Sequence, residues 1–307
     1  MAHLGVADLA DIAQAAYGRE LRDVVRLHGG SKKGVYRLTL DDGTTGIAYV
    51  WRTSEDYWPA HEQDPLFGNA SGRDLFLTAH TALSEAGAGV PRLVLVDNDV
   101  IVVEDLGGEF LEKLLDRDTE ALERLWEDLA AVHQHTSPRY GRPSALQPVD
   151  APPVPDVVLQ RALGHLDACC ERVPRIAAER DRLEAELRQR HAAVEPRAEY
   201  GLIHGELGPD HVLVADGRPV LIDIEGVMFF DVEWEHVFLE LRFGPHYRPV
   251  PGLDPARMSL YRLAQHLSLV EGPLRLLDGD FPHRDAMKEI AEHNIGRVLD
   301  CLSGLSV

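Results

Sequence analysis

Side chains able to do chemistry are concentrated between residues 204 and 225. Residues 202–214 read Leu-Ile-His-Gly-Glu-Leu-Gly-Pro-Asp-His-Val-Leu-Val, and residues 219–226 read Pro-Val-Leu-Ile-Asp-Ile-Glu-Gly. If the apolar strands of this segment pair as a hairpin through Asp216-Gly217, their polar ends lie side by side. The residues that would converge are Glu206, His211, Asp223 and Glu225. Clustered carboxylates repel one another unless a cation lies among them, so we expect magnesium and a nucleoside triphosphate here.

The first hundred residues predict five strands and an inserted helix that could position such a site. A short amphipathic helix, Ala7–Tyr17, comes first, and an irregular stretch, Thr53–Asn69, leads to a second helix at about Ser71–Glu85. The predicted strands are Leu21–Leu27, Val35–Leu40, Gly46–Trp51, Leu93–Val96 and Val100–Glu104. Their spacing and turn residues favour an antiparallel sheet.

Helices dominate after a glycine-containing hinge at residues 105–108. They are expected at Asp118–His133, Asp156–Glu171, Pro174–Ala193 and from Asp231 onward. The proline-rich stretch Ser137–Pro155 is expected to be a surface excursion without regular structure. Residues 200–224 form a compact β-rich island among these helices.

Composition and charge restrict the class of protein. The chain has 307 residues, of which 45% are hydrophobic and 27% charged, as in ordinary globular proteins. Lysine and arginine number 31 against 51 for aspartate and glutamate, so the formal net charge is 31 − 51 = −20. This charge excludes nucleic acid and anionic membranes as expected partners and would concentrate a cationic one. Solvated acidic helix faces are the main alternative explanation of the charge.

The expected location is the cytoplasm. No apolar run approaches the length of a bilayer span, and the N terminus reaches Asp8 and Asp11 without a basic, apolar leader. The three cysteines, Cys169, Cys170 and Cys301, form neither a CxxC pair nor a disulfide framework, which favours a reducing compartment.

The motif His-Gly-Glu-x5-Val-Leu-Val followed by Ile-Asp-Ile-Glu-Gly resembles the catalytic segment of the aminoglycoside phosphotransferase family and related choline and macrolide kinases. Supporting matches occur in family order over roughly residues 20–240. They are the glycine loop at residues 29–36, the hinge-entering strand at residues 102–107 and the helix end at residues 129–133.

The resemblance implies an α+β, bilobal protein-kinase-like fold. An N-terminal five-stranded antiparallel sheet with one helix would form a nucleotide-binding lobe at residues 1–106. A C-terminal mainly helical lobe at residues 107–307 would carry the catalytic loop and the acceptor site.

The resemblance also implies roles for the converging residues. Glu206 occupies the catalytic-base position and would orient or deprotonate an acceptor hydroxyl. His211 and Asp223 occupy metal-ligand positions, and Glu225 would be a second ligand or an outer neighbour of the metal. His204 would brace the loop. Residues implied to bind ATP or GTP are Gly30, Ser31, Lys32, Lys33, Gly34, Arg52 and Glu104.

This sequence departs from the family pattern at several of these positions. Glu206 replaces aspartate, which extends the carboxylate by about 1.5 Å. His211 replaces asparagine, as in macrolide kinases, and imidazole would let Mn²⁺ compete with Mg²⁺. The third strand lacks the usual phosphate-binding lysine, so Lys32, Lys33 or Arg52 would supply that charge. Asp74 is the expected acidic partner on the following helix, ahead of Glu85.

Several other polar or aromatic residues have structural explanations. His133 and His135 are expected to complement the C-terminal dipole of their helix. Asp231 is expected to cap the helix that follows it. Tyr57-Trp58 either stacks on a ligand or packs against the lobe.

The sequence therefore predicts a phosphotransferase that uses ATP or GTP to phosphorylate a hydroxyl of a small molecule, first of all an aminoglycoside-like antibiotic. A macrolide or nucleoside antibiotic kinase and a catalytically impaired, nucleotide-binding pseudokinase are the alternatives. A zinc hydrolase built on His204, Glu206, His211 and Asp223 is a further rival, but it leaves the glycine loop without a role.

Overall fold

The computed structural model describes residues 3–27, 30–58, 66–67 and 72–302. Gly29 of the predicted glycine loop lies outside the described residues. So do most of the second half of the irregular stretch and Ser71, where the second helix was predicted to begin.

The predicted strands and helices of the N-terminal half occur in the expected order. The strands are β1 (Leu21–Arg26), β2 (Gly34–Leu40), β3 (Thr45–Val50), β4 (Leu93–Val96), β5 (Val100–Glu104), β6 (Glu109–Phe110), β7 (Thr136–Ser137), β8 (Gly141–Arg142), β9 (Ala145–Leu146), β10 (Tyr200–Ile203), β11 (Val212–Ala215), β12 (Arg218–Leu221) and β13 (Met228–Phe230). The helices are α1 (Val6–Tyr17), α2 (Arg73–Glu85), α3 (Thr119–His133), α4 (Val154–Arg172), α5 (Pro174–Ala177), α6 (Arg180–Ala192), α7 (Val232–Phe243), α8 (Pro255–Leu276) and α9 (Arg284–Asp300). Strands β6 to β9 and β13 were not predicted, and the helix expected at Pro174–Ala193 is divided into α5 and α6.

The chain divides into two compact units. The first comprises residues 1–132 and 209–226, and the second comprises residues 133–208 and 227–307. This division differs from the single boundary predicted after residue 106. It does so because β11 pairs with both β12 and β6, which places this hairpin in the same unit as the N-terminal sheet.

The first unit is built on the predicted five-stranded antiparallel sheet, in the order β1-β2-β3-β5-β4. Alternate residues of β2 are buried, whereas β3 and β5 are buried along most of their length. Leu9 and Ala13 of α1 belong to the same buried cluster as residues of β2 and β5. The α+β class and the five-stranded sheet are thus confirmed.

A tight hairpin lies beside this sheet. Asp216 and Gly217 have φ values of 50° and 71°, as a two-residue type I′ turn requires, and they join β11 to β12 in register. The amide of Leu221 donates to the carbonyl of Gly89 at 2.8 Å. This contact fixes the end of the hairpin against the loop that follows α2.

The second unit corrects two expectations. Residues 200–224 are not one β island, because β10 pairs with β7 and β13, and the hairpin belongs to the first unit. The expectation that Ser137–Pro155 lacks regular structure is wrong, since β8 and β9 lie within it. The prolines fall outside these two-residue strands, so no ladder hydrogen bond is lost.

Buried histidines occur in the helical core of the second unit. His266 on α8 is fully buried, and its Nδ1–H donates to Oδ1 of Asn294 on α9 at 2.8 Å. Burial lowers the pKa of His266, and likewise that of His236, to about 4.

None of the helices in the described part of the chain combines the length and the apolar character that a membrane span requires.

The close approach at Gly89 leads to a first prediction. A Cβ at this position would lie 2.5 Å from the carbonyl oxygen of Pro219. Gly89→Ala should therefore lower the free energy of unfolding by about 1–3 kcal/mol. Gly164→Ala is the control, because this exposed glycine lies inside α4 with nothing near its Cβ, and alanine should stabilise the helix by up to about 1 kcal/mol. Thermal unfolding of both variants tests the difference, and a neutral Gly89→Ala would contradict the packing.

The second prediction concerns pH. Because the folded-state pKa of His266 is about 4 against 6.5 as the ordinary value, the unfolded chain binds more protons between these pH values. Stability should therefore fall as pH falls through this window, by about 1 kcal/mol per pH unit for each such histidine. In His266→Gln, urea unfolding should show a shallower dependence on pH over this range. His3→Gln, which changes an exposed histidine that has no part in the environment of His266, is the control and should keep the wild-type dependence.

Candidate active site

The β11–β12 hairpin brings two predicted metal ligands together. His211 ends a 3-10 turn just before β11, and Asp223 follows β12. The amide of Ile222 donates to the carbonyl of His211 at 3.0 Å. This extension of the ladder leaves His211 Nε2 3.6 Å from Asp223 Oδ2.

Asp223 has an unusual backbone. Its φ is 57°, in the left-handed region that costs a residue other than glycine about 1–2 kcal/mol. Such conformations persist where the surrounding structure holds them, and they concentrate at functional sites. The side chain is 46% exposed, so this carboxylate faces solvent at the end of a rigid hairpin.

A lysine from the glycine loop reaches the same place. Lys33 Nζ donates to Asp223 Oδ1 at 2.7 Å and to Glu225 Oε1 at 2.5 Å, and it lies 5.3 Å from the ring centre of Tyr49. The lysine side chain is only 6% exposed. Burial by itself would lower the Lys33 pKa, but the charges of Asp223 and Glu225 raise it above its ordinary value. The ammonium group therefore stays protonated between the two carboxylates.

The second carboxylate is in a different environment. Glu225 lies in the 3-10 turn Ile224–Gly226, which contacts α2, and the residue is 4% exposed. Its burial raises the pKa of this carboxyl, while the Lys33 ammonium opposes that rise. Glu225 is thus a buried acid that contacts a buried cation, whereas Asp223 is open to solvent.

The glycine loop is held from one side by the segment after β3. The indole N–H of Trp58 donates to Ser31 Oγ at 2.8 Å, and the amide of Tyr57 donates to the Ser31 carbonyl at 2.8 Å. Lys32 Nζ lies 5.2 Å from the Trp58 ring centre. The Tyr57-Trp58 pair therefore packs against the glycine loop.

Both glycines of the described loop are needed for its shape. Gly30 has φ 75°, and a Cβ there would lie 2.5 Å from the carbonyl oxygen of Lys33. At Gly34 a Cβ would lie 2.6 Å from Oε2 of the buried Glu55. Glu55 also accepts hydrogen bonds from Tyr36 Oη at 2.6 Å and from Arg26 Nε at 3.3 Å. One carboxylate thereby connects the strands on both sides of the loop.

The remaining predicted nucleotide residues bind elsewhere in the unit. Arg52 Nε donates to Asp99 Oδ2 at 2.6 Å, and Glu104 Oε1 accepts from the Arg92 amide at 2.8 Å. Lys33, rather than Arg52, is therefore the cation that reaches Asp223 and Glu225. The expectation that Asp74 pairs with this lysine is wrong, since Asp74 is 83% exposed and pairs with Arg73. The acidic partner comes from the end of β12 because α2 presents apolar residues to that region.

In the second unit, Glu206 is exposed on the loop that follows β10. A fully buried carboxylate holds the loop backbone just before it. Glu235 Oε1 accepts from the amides of His204 at 2.8 Å and Gly205 at 3.0 Å, while Oε2 lies 2.6 Å from His133 Nε2. Burial alone would raise the Glu235 pKa, but the hydrogen bond and charge of His133 and the other donors hold it below its ordinary value.

Sequence reasoning missed this role of Glu235. The only signal in the sequence was the position of Glu235, four residues after the start of an acidic helix segment. Such a segment is explained equally well as a solvated helix face. The expected capping role of Asp231 is wrong, because its side chain makes no cap hydrogen bond. Its buried carboxylate instead accepts from Tyr261 and Arg257. His133 ends α3, where its ring meets Glu235.

The side chains of Asp223 and His211 suit a metal ion that is also bound by the phosphates of a nucleotide. Within the described residues, no group of three or more His, Cys, Asp or Glu side chains lies ready to hold a metal ion. Mg²⁺ keeps several waters and binds through one or two carboxylates together with substrate phosphates. The exposed carboxylate of Asp223, with His211 beside it, fits that mode.

Comparison with known proteins identifies related sequences and folds. Residues 23–246 match the profile of APH, the phosphotransferase enzyme family. A search of curated protein sequences gave no significant match.

Solved structures with the same fold have low sequence identity to this chain. A thermostable mutant of aminoglycoside phosphotransferase APH(4)-Ia, in ternary complex with ADP and hygromycin B, has a TM-score of 0.69 and 15% identity, over 97% of this chain and 99% of that chain. Macrolide 2'-phosphotransferase type I has a TM-score of 0.58 and 13% identity, over 97% and 99%. A choline/ethanolamine kinase family protein from Mesorhizobium loti has a TM-score of 0.58 and 17% identity, over 98% and 96%. These likenesses confirm the protein-kinase-like fold.

The third prediction follows from the burial of Glu235. Glu235→Ala leaves two buried amides and His133 without their acceptor, so the free energy of unfolding should fall by about 3–5 kcal/mol. Glu235→Gln keeps an acceptor oxygen and should cost less. Glu240→Ala on the same helix removes a surface pair with Arg262 and should cost less than about 1 kcal/mol. Urea unfolding measures the stability of all three variants. Equal losses of unfolding free energy for Glu235→Ala and Glu240→Ala would argue against a role of Glu235 in holding the loop backbone.

Proposed function

Because the chain belongs to the phosphotransferase enzyme family, we propose that it transfers the terminal phosphoryl group of ATP or GTP to a hydroxyl of a small molecule. The observation that carries this proposal is the contact of Lys33 with Asp223. It places a cation from the glycine loop beside an exposed carboxylate at the end of a rigid hairpin. A nucleoside triphosphate needs both groups, because the cation offsets the negative charge of the phosphates and the carboxylate binds the metal ion that accompanies them.

In this proposal Asp223 and His211 hold Mg²⁺, or Mn²⁺ as the second candidate. The metal, when bound, supplies positive charge to the phosphate oxygens. Lys33 supplies the second positive charge, and its ammonium can bind a phosphate oxygen because it has three donors. The residues of the glycine loop, Gly30 to Gly34, direct the phosphates towards this lysine.

Glu206 acts on the acceptor. The acceptor oxygen forms a bond to the γ-phosphorus, and the bond from that phosphorus to the β,γ-bridging oxygen breaks, so that the nucleoside diphosphate leaves. The hydroxyl proton passes to the Glu206 carboxylate and from there to solvent. Phosphoryl transfer has a loose transition state, so orientation of the hydroxyl matters more than its deprotonation. The backbone brace by Glu235 keeps the loop that carries Glu206 in place.

An aminoglycoside-like antibiotic is the proposed acceptor class. The net charge of −20 attracts a polycation, and carboxylates can bind its ammonium groups. The related APH(4)-Ia structure contains hygromycin B. A macrolide is the second candidate, since His211 stands where the sequence resembles macrolide kinases. We also propose that the enzyme acts in the cytoplasm.

The fourth prediction tests the reaction. Nucleotide consumption is measured with Mg²⁺ or Mn²⁺ against aminoglycosides, macrolides and nucleoside antibiotics. Asp223→Asn and Glu206→Gln should each lower acceptor-dependent kcat by at least about 100-fold, because each removes a group that acts at the transferring phosphoryl group or its acceptor. Asp74→Asn, which removes an exposed carboxylate of α2, should leave the rate unchanged.

The outcomes separate the alternatives. Acceptor-dependent turnover that is lost in Asp223→Asn supports the kinase, and the active acceptor identifies its substrate class. Tight nucleotide binding without turnover on any acceptor favours a pseudokinase. A chain that binds no nucleotide is not the enzyme proposed here.

A further inference from the structure

The two carboxylates that contact Lys33 are not equivalent. Glu225 is 4% exposed in a turn that contacts α2, and it pairs with a lysine that is itself 5% exposed. Asp223 is 46% exposed and lies beside His211. A buried carboxylate in contact with a buried ammonium is expensive to separate, because either charge alone would lack both water and a partner. The Lys33–Glu225 contact is therefore the more permanent of the two.

Aromatic rings lie between the third strand, which lacks the family's usual lysine, and α2, where the acidic partner was expected. Tyr49 on β3 is buried, and its ring centre lies 5.2 Å from that of Phe76 on α2. Trp51 lies 5.8 Å from the same Phe76 ring. Both acids of α2, Asp74 and Glu85, are exposed. The strand and helix thus form a hydrophobic contact where a charge pair was expected.

Lys33 reaches this region from the start of β2. Its ammonium lies over the Tyr49 ring, so an aromatic ring of the strand that lacks the usual lysine contacts the lysine of the glycine loop. Glu225 comes from the turn after β12. The charge pair is present in the unit: its lysine comes from the glycine loop, as one of the sequence-based candidates, whereas its acid does not come from α2 as expected.

We propose that Glu225 is a positioning residue that holds Lys33 for the nucleotide phosphates, and that it is not a ligand of the metal ion. This inference rests on the proposed function and assigns separate tasks to the two carboxylates. When phosphate arrives, Lys33 keeps its contact with Glu225 and exchanges Asp223 for a phosphate oxygen. Asp223 is then available to the metal.

Hydration chemistry agrees with this assignment. Mg²⁺ gives up its waters reluctantly and retains several of them in protein sites. An exposed carboxylate such as Asp223 can bind the hydrated ion, whereas Glu225 would first have to leave Lys33 and admit water into a buried position. The sequence-based expectation of Glu225 as a metal ligand is replaced by an indirect role.

The test separates metal binding from nucleotide binding in the full-length chain. Mn²⁺ affinity is measured by electron paramagnetic resonance without nucleotide, and the Kd for a fluorescent ATP analogue is measured in EDTA without metal. The variants are Asp223→Asn, Glu225→Gln, Lys33→Met and the Lys33→Met/Glu225→Gln pair, with Asp74→Asn as control. Circular dichroism and thermal unfolding check that each variant is folded.

We expect Glu225→Gln to raise the metal-free Kd for the nucleotide at least 10-fold while changing Mn²⁺ affinity less than threefold. Asp223→Asn should lower Mn²⁺ affinity at least 10-fold while changing the metal-free Kd for the nucleotide less than threefold. The double variant should bind nucleotide no more weakly than Lys33→Met alone, because Glu225 acts through the lysine. Should Glu225→Gln fail to fold, Glu225→Asp is measured in the same two assays: its shorter side chain no longer reaches Lys33 in the same way, so it should weaken metal-free nucleotide binding and spare Mn²⁺.

Two results would overturn the inference. Loss of Mn²⁺ affinity in Glu225→Gln as large as in Asp223→Asn would make Glu225 a metal ligand. Additive losses of nucleotide affinity in the double variant would show that Glu225 does not act through Lys33. Failure of the proposed function would give a different result. The wild type would then not bind the nucleotide analogue, and it would not consume ATP when metal is added.

Discussion

A buried ammonium group between two carboxylates is the constraint on which the first unit depends. Burial would lower the pKa of Lys33, but the adjacent Asp223 and Glu225 raise it, and burial raises the pKa of Glu225 while the Lys33 ammonium opposes that rise. This mutual stabilisation ties the start of β2 to the end of β12. It also explains why the β11–β12 hairpin belongs to the same compact unit as the N-terminal sheet.

The glycine loop is shaped by its surroundings as much as by its own sequence. Glu55 links Arg26 and Tyr36 on either side of it, and Trp58 holds Ser31. These contacts restrict the loop before any ligand binds, which lowers the entropy that binding must remove. The described part of the segment after β3, residues 51–58, thus helps to position the glycine loop.

A buried carboxylate serves the second unit in a related way. Glu235 receives two backbone amides of the loop before Glu206, as well as the ring of His133. Such charge-assisted bonds are among the stronger ones in proteins. Both units therefore contain a buried acid that restrains a nearby loop, while Asp223 and Glu206, the residues of the proposed mechanism, are exposed.

The sequence alone determined the class, the five-stranded sheet and the Asp216-Gly217 hairpin, because these follow from local periodicity and turn chemistry. It also pointed to Lys33 as one candidate among three, and to the segment that holds Asp223 and Glu225. Only the tertiary structure decided that Lys33 contacts Glu225, a pair 192 positions apart, and that Asp74 and Asp231 have other partners than expected. Local sequence carries no record of which distant charge will be buried beside it, since that depends on how the strands and helices pack.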